Sequence, residues 1–376
     1  MINAVFDFEA GRIRRIYASA VYPCEQKGNV FYDSEIVPNL KLAEDMPRSL
    51  ECLHSVVAFR PSHILMSRDI LGGKPLYYDS GGISSFSSYL ENPTELKPGE
   101  LIKIDYEGRI LERKRFGFEE AILREERNPE DLEKEIIREI SCLKPRNCCI
   151  AFSGGLDSAL LASLYDLPLI SVTSSEKEEE WVRTVAKELS REIEVYRISE
   201  EDVSGAIPEV SKAIETGGFL QLSIAIPVHF AMKFAKNNGF DEIMFGQGAD
   251  ELFGGYKRYE KYSGEDLERV MLEDLKNIGE RNLVRDCKLS YHNGIRLILP
   301  YLRWEVIRGS LSIPADLKVA RFEGRVVRKY FLRRIAREYL PEEVVWKEKK
   351  ALQYSTGVAK ILRRLCSSRT GRAPGS

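Results

Sequence analysis

Residues 149–162 read Cys149-Ile150-Ala151-Phe152-Ser153-Gly154-Gly155-Leu156-Asp157-Ser158-Ala159-Leu160-Leu161-Ala162, and this stretch decides the fold. Its apolar beginning is typical of a buried strand, and its end, rich in Ala and Leu, is typical of a helix. A glycine pair lies between the two. The stretch therefore predicts a strand, a short glycine loop and a helix in direct succession.

The loop 153–158 has the composition of a phosphate-binding site. Glycine lets the backbone come close to a ligand, and the N–H groups at a helix N-terminus favour an anion. Ser153 and Ser158 add hydroxyl donors, and the Asp157 carboxylate can hold Mg²⁺ that bridges phosphates. The alternative is an ordinary strand-to-helix turn. We favour the phosphate site, because Ser-Gly-Gly-x-Asp-Ser arises by chance in such a chain with a frequency on the order of 10⁻³.

Strands and helices alternate on both sides of this loop. The predicted strands are Cys148–Phe152, Leu169–Thr173, Ile193–Ile198 and Glu242–Phe245. The predicted helices are Asp157–Tyr165, Glu178–Leu189 and Leu222–Asn237, with an earlier one that Asn128 caps and Pro129 begins. This alternation predicts an α/β domain with a doubly wound parallel sheet.

Residues 1–115 follow a different pattern, in which short apolar runs lie between turn signals. This pattern predicts a smaller β-rich domain. Two hairpins are expected, with glycine-containing turns at 79–82 and 106–109. The densely charged segment 116–127 is interpreted as a linker, 128–366 as the α/β domain and 367–376 as a disordered tail.

The composition excludes several classes of protein. The 376 residues are 43% hydrophobic and 30% charged, which excludes collagen-like, coiled-coil and wholly disordered chains. The balance of 56 basic against 58 acidic residues argues against binding to nucleic acid by bulk electrostatics. No stretch approaches the ~18 apolar residues that a membrane span needs, and the N-terminus lacks a signal-peptide pattern.

The cysteines and histidines also carry information. Seven cysteines are scattered without a Cys-x-x-Cys pair, so we expect reduced thiols and a cytoplasmic location. A structural zinc site is left open, although no ligand spacing supports it, and with four histidines in all a histidine-rich metal site is not expected.

Four further segments, together with the loop, resemble the asparagine synthetase family of N-type ATP pyrophosphatases. Residues 245–256 (Phe-Gly-Gln-Gly-Ala-Asp-Glu-Leu-Phe-Gly-Gly-Tyr) are similar to its second motif, and residues 339–349 to its lysine-bearing C-terminal segment. Residues 68–78 and 97–99 resemble its glutaminase domain. The resemblance covers nearly the whole chain, and it implies a synthetase domain preceded by a degenerate class II amidotransferase domain.

The resemblance implies that ATP, with Mg²⁺, activates a small-molecule carboxylate as an acyl-adenylate, releasing pyrophosphate, and that ammonia or an amine then displaces AMP. It implies ATP contacts from Ser153, Gly154, Gly155, Asp157, Ser158, Val172, Gly246 and Gly248. Asp157 and Asp250 match the Mg²⁺ ligands, and Lys349 matches the lysine that neutralises pyrophosphate. Lys329 is a second basic candidate.

Several of these residues have a purely structural interpretation as well. Val172 is equally suited to a buried strand. Asp250-Glu251 is also typical of the first turn of a helix, where acidic side chains are favoured. Lys349 belongs to a charged run that, taken alone, indicates a solvated face.

The chain departs from the family pattern in its first domain. Glutaminases of this class use an N-terminal cysteine whose own amine is the base. Here Ile2 follows Met1, and the cysteines of this domain, Cys24 and Cys52, are internal. The domain also has about half the family's usual length. We therefore expect no glutamine hydrolysis.

Two departures concern the synthetase domain. Gln247 stands where the family has Glu, and an amide cannot accept a proton as a carboxylate does. Arg296, Ile298 and Arg303 stand where the family has Glu, Arg and Asp, so an acceptor other than aspartate is one expectation.

Three hypotheses follow. The leading one is an AMP-forming amide ligase that uses ammonia or a substrate amine. The second is an ATP-binding regulator that has lost turnover, and the third is a tRNA-modifying pyrophosphatase, which the acidic pI opposes. Nucleic-acid and membrane partners are not expected, and a homodimer is left open.

Overall fold

The computed structural model describes residues 1–9, 11–39, 45–122, 128–322, 325–347 and 356–370. Its first part is built from short strands, in agreement with the β-rich domain predicted there. They are β1 (Ile2–Glu9), β2 (Arg12–Ala20), β3 (Glu25–Lys27), β4 (Val30–Ser34), β5 (His54–Phe59), β6 (Ile64–Arg68), β7 (Tyr77–Tyr78), β8 (Gly82–Ser84), β9 (Thr94–Glu95), β10 (Glu100–Ile104) and β11 (Ile110–Arg115). Two short helices accompany them, α1 (Met46–Ser49) and α2 (Phe118–Ala121).

These strands form two antiparallel sheets. One has the order β2-β1-β8-β7-β9, and the other has the order β11-β10-β6-β5-β4-β3. Both predicted hairpins are present, because β7 pairs with β8 and β10 pairs with β11. Apolar residues from the two sheets belong to one core, to which β1 contributes Ile2 and Ala4, and β5 and β6 contribute Val57 and Met66.

The second part alternates strands and helices. Its elements are α3 (Pro129–Ser141), β12 (Cys148–Ala151), α4 (Leu156–Leu164), β13 (Leu169–Thr173), α5 (Glu176–Glu188), β14 (Ile193–Arg197), α6 (Glu200–Ile214), α7 (Phe219–Asn237), β15 (Glu242–Met244), α8 (Ala249–Phe253), α9 (Gly264–Lys276), α10 (Val284–Asn293), β16 (Arg296–Ile298), α11 (Trp304–Leu311), α12 (Ala315–Lys318), β17 (Val319–Phe322), β18 (Arg325–Arg328), α13 (Tyr330–Ala336), α14 (Glu342–Val345) and α15 (Val358–Thr370).

The parallel sheet confirms the predicted doubly wound α/β fold. Its order is β14-β13-β12-β15-β16, and every neighbouring pair is parallel. From the central strand β12 the chain first builds β13 and β14 on one side, and then crosses to β15 on the other. Ligands of such sheets bind outside the carboxyl ends of the strands, where the order reverses. That point lies between β12 and β15.

Two predicted boundaries differ from the structure. Helix α15 runs to Thr370, so the first four residues of the predicted tail 367–376 are helical, because buried Ile361 and Leu362 anchor the helix to the core. Residues 371–376 lie outside the described residues. In the predicted linker 116–127, Phe118 and Ile122 are buried, and residues 123–127 lie outside the described residues.

The two parts of the chain are joined by buried polar contacts. The Tyr291 hydroxyl donates to Asp33 at 2.7 Å, and both side chains are buried. The Glu215 carboxylate accepts from the Ser88 backbone N–H at 2.6 Å and pairs with the buried Lys288 ammonium. The first domain thus packs directly on the helices of the second.

The helices were also compared with the length and hydropathy of a membrane span. Among the described residues, no single helix meets both criteria, although α6 and α7, bent by 103° at their junction, meet them as a pair.

Candidate active site

The loop after β12 is held in shape by its own hydroxyl groups. The Ser158 hydroxyl accepts from the Ser153 backbone N–H at 3.1 Å and lies 3.1 Å from the Ser153 hydroxyl. Gly154 has φ +64°, a conformation that favours glycine, and Gly155 is the N-cap of α4. The N-terminus of α4 and the loop therefore lie at the switch point, and binding of an anion there stays a prediction.

Two carboxylates from neighbouring strands meet beside this loop. Asp157 lies in the first turn of α4, directly after β12, and Asp250 lies in the first turn of α8, directly after β15. The Lys329 ammonium lies between them, 2.6 Å from Asp157 Oδ1 and 2.7 Å from Asp250 Oδ1. The Lys329 side chain is buried, whereas each carboxylate side chain is nearly one-fifth exposed. One positive charge thus joins two acids at the mouth of the sheet.

Glycines make room for this arrangement. A Cβ on Gly255 would lie 1.8 Å from Asp250 Oδ1 and 2.3 Å from Lys329 Cε, so no larger residue fits there unchanged. A Cβ on Gly246 would lie 3.0 Å from Asp157 Cβ. Gly248 has φ +91°, and a Cβ there would lie 2.4 Å from Leu302 Cδ2. The Gly-rich second motif therefore lets the two carboxylate-bearing elements come together.

An aromatic side chain supports the loop from outside. Trp181 on α5 donates its indole N–H to the Gly154 carbonyl at 2.9 Å. The Lys347 ammonium lies over the Trp181 ring, 3.0 Å from its centroid, in a cation–π contact. Farther along the chain, the backbone carbonyl of Thr356 accepts hydrogen bonds from the backbone N–H and the hydroxyl of Ser174, directly after β13. Residues 347 and 356 are thus both held at the carboxyl end of the sheet.

The remaining predicted residues are placed as follows. Lys349 lies outside the described residues, between these two anchored positions. Val172 lies on β13 beside the central strand, and its side chain is partly exposed while its neighbours Ser171 and Thr173 are buried. Its contact with a nucleotide stays a prediction.

Comparison with known proteins identifies the family. A family model described as asparagine synthase matches residues 142–265 and 260–373, which is more than half of the chain. This chain belongs to the asparagine synthase family. The suspected family is therefore confirmed, and its model covers the loop, the second motif and the segment around Lys349.

Individual members of the asparagine synthase family are moderately similar. The Methanocaldococcus jannaschii protein named "Putative asparagine synthetase (glutamine-hydrolyzing) 1" is 32% identical over 253 residues, covering 57% of this chain and 47% of the relative. The root asparagine synthetase (glutamine-hydrolyzing) of Pisum sativum is 25% identical over 365 residues, covering 87% and 62%. The chain spans about half the length of the curated relatives it matches.

One solved structure is similar at a greater distance. The NMN synthetase of Francisella tularensis matches with a TM-score of 0.32 and 11% identity, over 67% of this chain and 99% of that one. At this distance the match carries no argument about function.

Gln247, which replaces the asparagine synthase family's Glu, has a carboxylate as its partner. Its side-chain amide donates to Asp286 Oδ2 at 2.5 Å. Asp286 is buried and pairs with the Arg285 guanidinium at 2.8 Å, and Arg285 in turn donates to Gln221 at 3.2 Å. The substitution is therefore matched by its surroundings, since a carboxylate at position 247 would face the Asp286 carboxylate directly.

The structure places two of the three departures in segment 293–303 in ion pairs between elements. Arg296 begins β16 at the amino end of the sheet, opposite to the phosphate loop, and pairs with Glu25 and with Glu242. Arg303 lies 3.4 Å from Glu139 on α3. These two arginines hold neighbouring elements together, and an acceptor other than aspartate stays a prediction.

Three residues of the site were not found from the sequence. Trp181, Lys347 and Asp286 reach the loop or Gln247 only through tertiary packing. Lys347 stands two positions before Lys349 in the same charged run, which was the one signal that could have drawn attention to it. Trp181 and Asp286 have no motif around them.

Proposed function

We propose that this chain is an ATP-dependent, AMP-forming carbon–nitrogen ligase. A carboxylate oxygen of the substrate attacks the α-phosphorus of ATP, the bond to the β-phosphate breaks, and pyrophosphate leaves. Ammonia or a substrate amine then attacks the acyl carbon of the adenylate, loses a proton and displaces AMP. The observation that supports this best is the pair Asp157 and Asp250, beside a phosphate loop at the switch point of the sheet.

The donor set suits Mg²⁺ together with a triphosphate. Two carboxylates that share one ammonium within 2.7 Å offer hard oxygen ligands close together, as Mg²⁺ requires. Bound there, Mg²⁺ would neutralise charge on the phosphate oxygens. The backbone N–H groups and hydroxyls of Ser153–Ser158 would orient the same oxygens.

Lysine side chains supply further positive charge. Lys329 is already within hydrogen-bonding distance of both carboxylates, so its ammonium can move from them to a phosphate oxygen without a long displacement. Lys347 holds the chain against Trp181 two residues before Lys349. We assign to Lys329 and Lys349 the stabilisation of the departing pyrophosphate, which is the step where negative charge increases most.

Glutamine hydrolysis is not part of the proposed activity. Burial raises the pKa of the Cys24 and Cys52 thiols to about 12, because the surroundings disfavour a thiolate. Neutral buried thiols are poor nucleophiles. The nitrogen donor would therefore be free ammonia or an amine, and purified protein with glutamine should release no glutamate above a Cys24→Ser variant.

Gln247 leaves the second half-reaction with a changed proton acceptor. An amide oxygen at this position can orient an amine but cannot take its proton. The Asp286 carboxylate accepts a hydrogen bond from the Gln247 amide nitrogen at 2.5 Å. We assign the positioning of the amine to Gln247, and we expect the adenylation half-reaction to be independent of both residues.

Exchange of labelled pyrophosphate into ATP tests the proposal. The purified chain is incubated with Mg²⁺, ATP and each of a set of carboxylic acids that includes aspartate. We expect acid-dependent exchange that Asp250→Asn reduces at least 100-fold. Asp166→Asn, a matched change of a fully exposed carboxylate, should leave exchange unchanged. Absence of exchange with every acid, in conditions where ATP binds, would contradict the proposal.

The Gln247–Asp286 contact also favours a second candidate function. A partly buried amide–carboxylate hydrogen bond in place of the family's Glu is compatible with an ATP-binding regulator without turnover. This candidate predicts tight Mg·ATP binding and no AMP formation with any acid or amine. Production of AMP above that of the Asp250→Asn variant would eliminate it.

A further inference from the structure

Three metal-binding side chains from three helices meet away from the phosphate loop. They are Glu209 on α6, His229 on α7 and His292 on α10, and one ligand atom of each lies within 4.8 Å of the others. His292 Nε2 is 2.8 Å from Glu209 Oε1, and the two imidazole centroids are 5.8 Å apart. Ligands about 2.1 Å from a tetrahedral zinc ion lie about 3.4 Å from each other. Small side-chain rotations are therefore enough to place all three around one ion.

His229 is a buried histidine with a ring nitrogen that makes no hydrogen bond to the described residues. Its side chain is 1% exposed, and among the described residues its Nε2 has no hydrogen-bond partner. Its other ring nitrogen, Nδ1, lies 3.2 Å from the Asn293 side-chain nitrogen. A buried polar nitrogen without a partner destabilises the folded state, and a metal–nitrogen bond would offset that cost.

The charges at this cluster are compatible with a divalent ion. Burial lowers the pKa of His229 to about 4, so the ring is neutral at pH 7, as a ligand must be. The hydrogen bond from His292 lowers the pKa of the Glu209 carboxyl, which keeps it ionised. Lys233, also on α7, acts electrostatically on both groups, and its charge opposes a cation.

We propose that Glu209, His229 and His292 form a binding site for a divalent transition-metal ion of the zinc class. Two imidazoles and one carboxylate are a donor set that zinc takes readily, with the fourth position left for water. Mg²⁺ is a poor match, because it prefers oxygen ligands. The site would join α6, α7 and α10.

Asn293 would act as the outer partner of the metal site. When Nε2 of His229 binds a metal, the ring proton lies on Nδ1 and needs an acceptor. The side-chain oxygen of Asn293 provides it after a 180° rotation of the amide, at the expense of the 2.8 Å bond that its nitrogen donates to the Leu289 carbonyl. An Asn293→Asp variant, which offers an acceptor in either orientation, should bind the metal about tenfold more tightly.

Cobalt titration tests the site directly. The purified full-length chain is freed of metal with a chelator and titrated with Co²⁺, followed by visible absorption and then by competition with Zn²⁺. We expect one equivalent of tetrahedral Co²⁺ with nitrogen and oxygen ligands, displaced by Zn²⁺. His292→Ala and Glu209→Gln, which change exposed residues, should each weaken binding at least tenfold, whereas His63→Ala in the first domain should not.

The same titration can overturn the proposal. Unchanged affinity in both His292→Ala and Glu209→Gln would overturn it, and so would no binding to the parent chain. A thiolate-to-cobalt band that disappears in Cys142→Ser or Cys366→Ser would assign the metal to an exposed cysteine instead. The melting temperatures of the metal-free variants check that their helices remain packed. Pyrophosphate exchange measured in Mg²⁺ alone keeps this test separate from the ligase proposal.

Discussion

Lys329 holds two acidic side chains together with a single ammonium group. Asp157 and Asp250 would otherwise repel each other, and the lysine has φ +55°, in the left-handed region where non-glycine residues are uncommon. The backbone is thus held in an unfavourable conformation to keep a cation at this point. We interpret the ammonium as the charge that stabilises the two carboxylates until a metal–nucleotide complex binds.

Replacement of Lys329 by Met should therefore destabilise the chain. We expect a loss of about 3 kcal/mol in unfolding free energy, because two partly buried carboxylates are left without their cation. Mg²⁺ should raise the melting temperature of this variant more than that of the parent, since it can take the same position. Lys236→Met, which breaks an exposed pair with Asp241, should cost less than about 1 kcal/mol. Equal responses to Mg²⁺ would be inconsistent with this account.

Gln247→Glu tests the contact between Gln247 and Asp286. Two carboxyl groups 2.5 Å apart cannot both be charged, so one must hold a proton with a raised pKa. The folded state then binds more protons than the unfolded state, and stability falls as the pH rises. We expect the variant to lose about 1–3 kcal/mol at pH 8 and less at pH 5, measured by urea unfolding. Gln26→Glu on an exposed strand should show no such dependence on pH.

The sequence predicted only part of these contacts. Asp157 and Asp250 could be placed together, because each follows a strand of a parallel sheet and the carboxyl ends of such strands share one edge. Asp286 could not be assigned to Gln247, because the two lie on α10 and after β15 and meet only once those elements pack. The cluster of Glu209, His229 and His292, which we propose as a metal site, was not predicted for the same reason, since these positions follow no local spacing.

At the scale of elements, glycine positions determine how closely the site's helices approach. Gly255 follows α8 and leaves no room for a Cβ beside Asp250 and Lys329. At Gly205 in α6, by contrast, no heavy atom of the described residues lies within 4 Å of the point that a Cβ would occupy. The two glycines therefore form a matched pair for substitution by alanine.

Gly255→Ala and Gly205→Ala should have opposite effects. At position 255 the added methyl displaces the Asp250 carboxylate, so we expect a loss of about 1–3 kcal/mol together with weaker Mg·ATP binding. At position 205 the helix gains about 0.5–1 kcal/mol, because alanine is the better helix former. Urea unfolding and nucleotide titration measure both. A Gly255→Ala variant with parental nucleotide affinity would show that the close approach is not required.

Helices and strands were predicted well where the spacing of apolar residues along the sequence was clear. The strand at 169–173 has the predicted bounds, whereas the helix Glu200–Ile214 was not predicted. Its Gly205 and Pro208 argue against a helix locally, but Ser199 and Asp202 form a capping box and Val203, Ala206 and Val210 pack into the core. Tertiary burial thus outweighed local propensity.

At the scale of the whole molecule, the first domain is fastened to the helices of the second by charge. Burial alone would raise the pKa of Glu215, but hydrogen bonds from Lys288 and Ser88 lower it to about 2. A carboxyl group whose folded pKa lies below its unfolded value stabilises the fold above its ordinary pKa near 4.5. That stabilisation is lost as the pH falls from there towards 2.

Glu215→Gln should loosen the contact between the two parts. We expect a loss of about 2 kcal/mol at pH 7, because the buried Lys288 ammonium loses its charged partner. The difference from the parent should shrink as the pH falls from 4.5 towards 2, where the parent carboxylate also becomes protonated. Unfolding in urea across this pH range checks the prediction. A constant difference at all pH values would contradict the assignment to Glu215.

A crystal structure of the chain with Mn²⁺ and α,β-methylene-ATP, whose α–β bridge cannot be cleaved, tests the central claim most directly. We expect an anomalous peak of Mn²⁺ bound by Asp157 and Asp250, and phosphate oxygens in contact with the backbone N–H groups of Ser153–Ser158. Lys329 should then have moved from the carboxylates to the phosphates. A triphosphate bound elsewhere, or Mn²⁺ without either carboxylate as a ligand, would contradict the account.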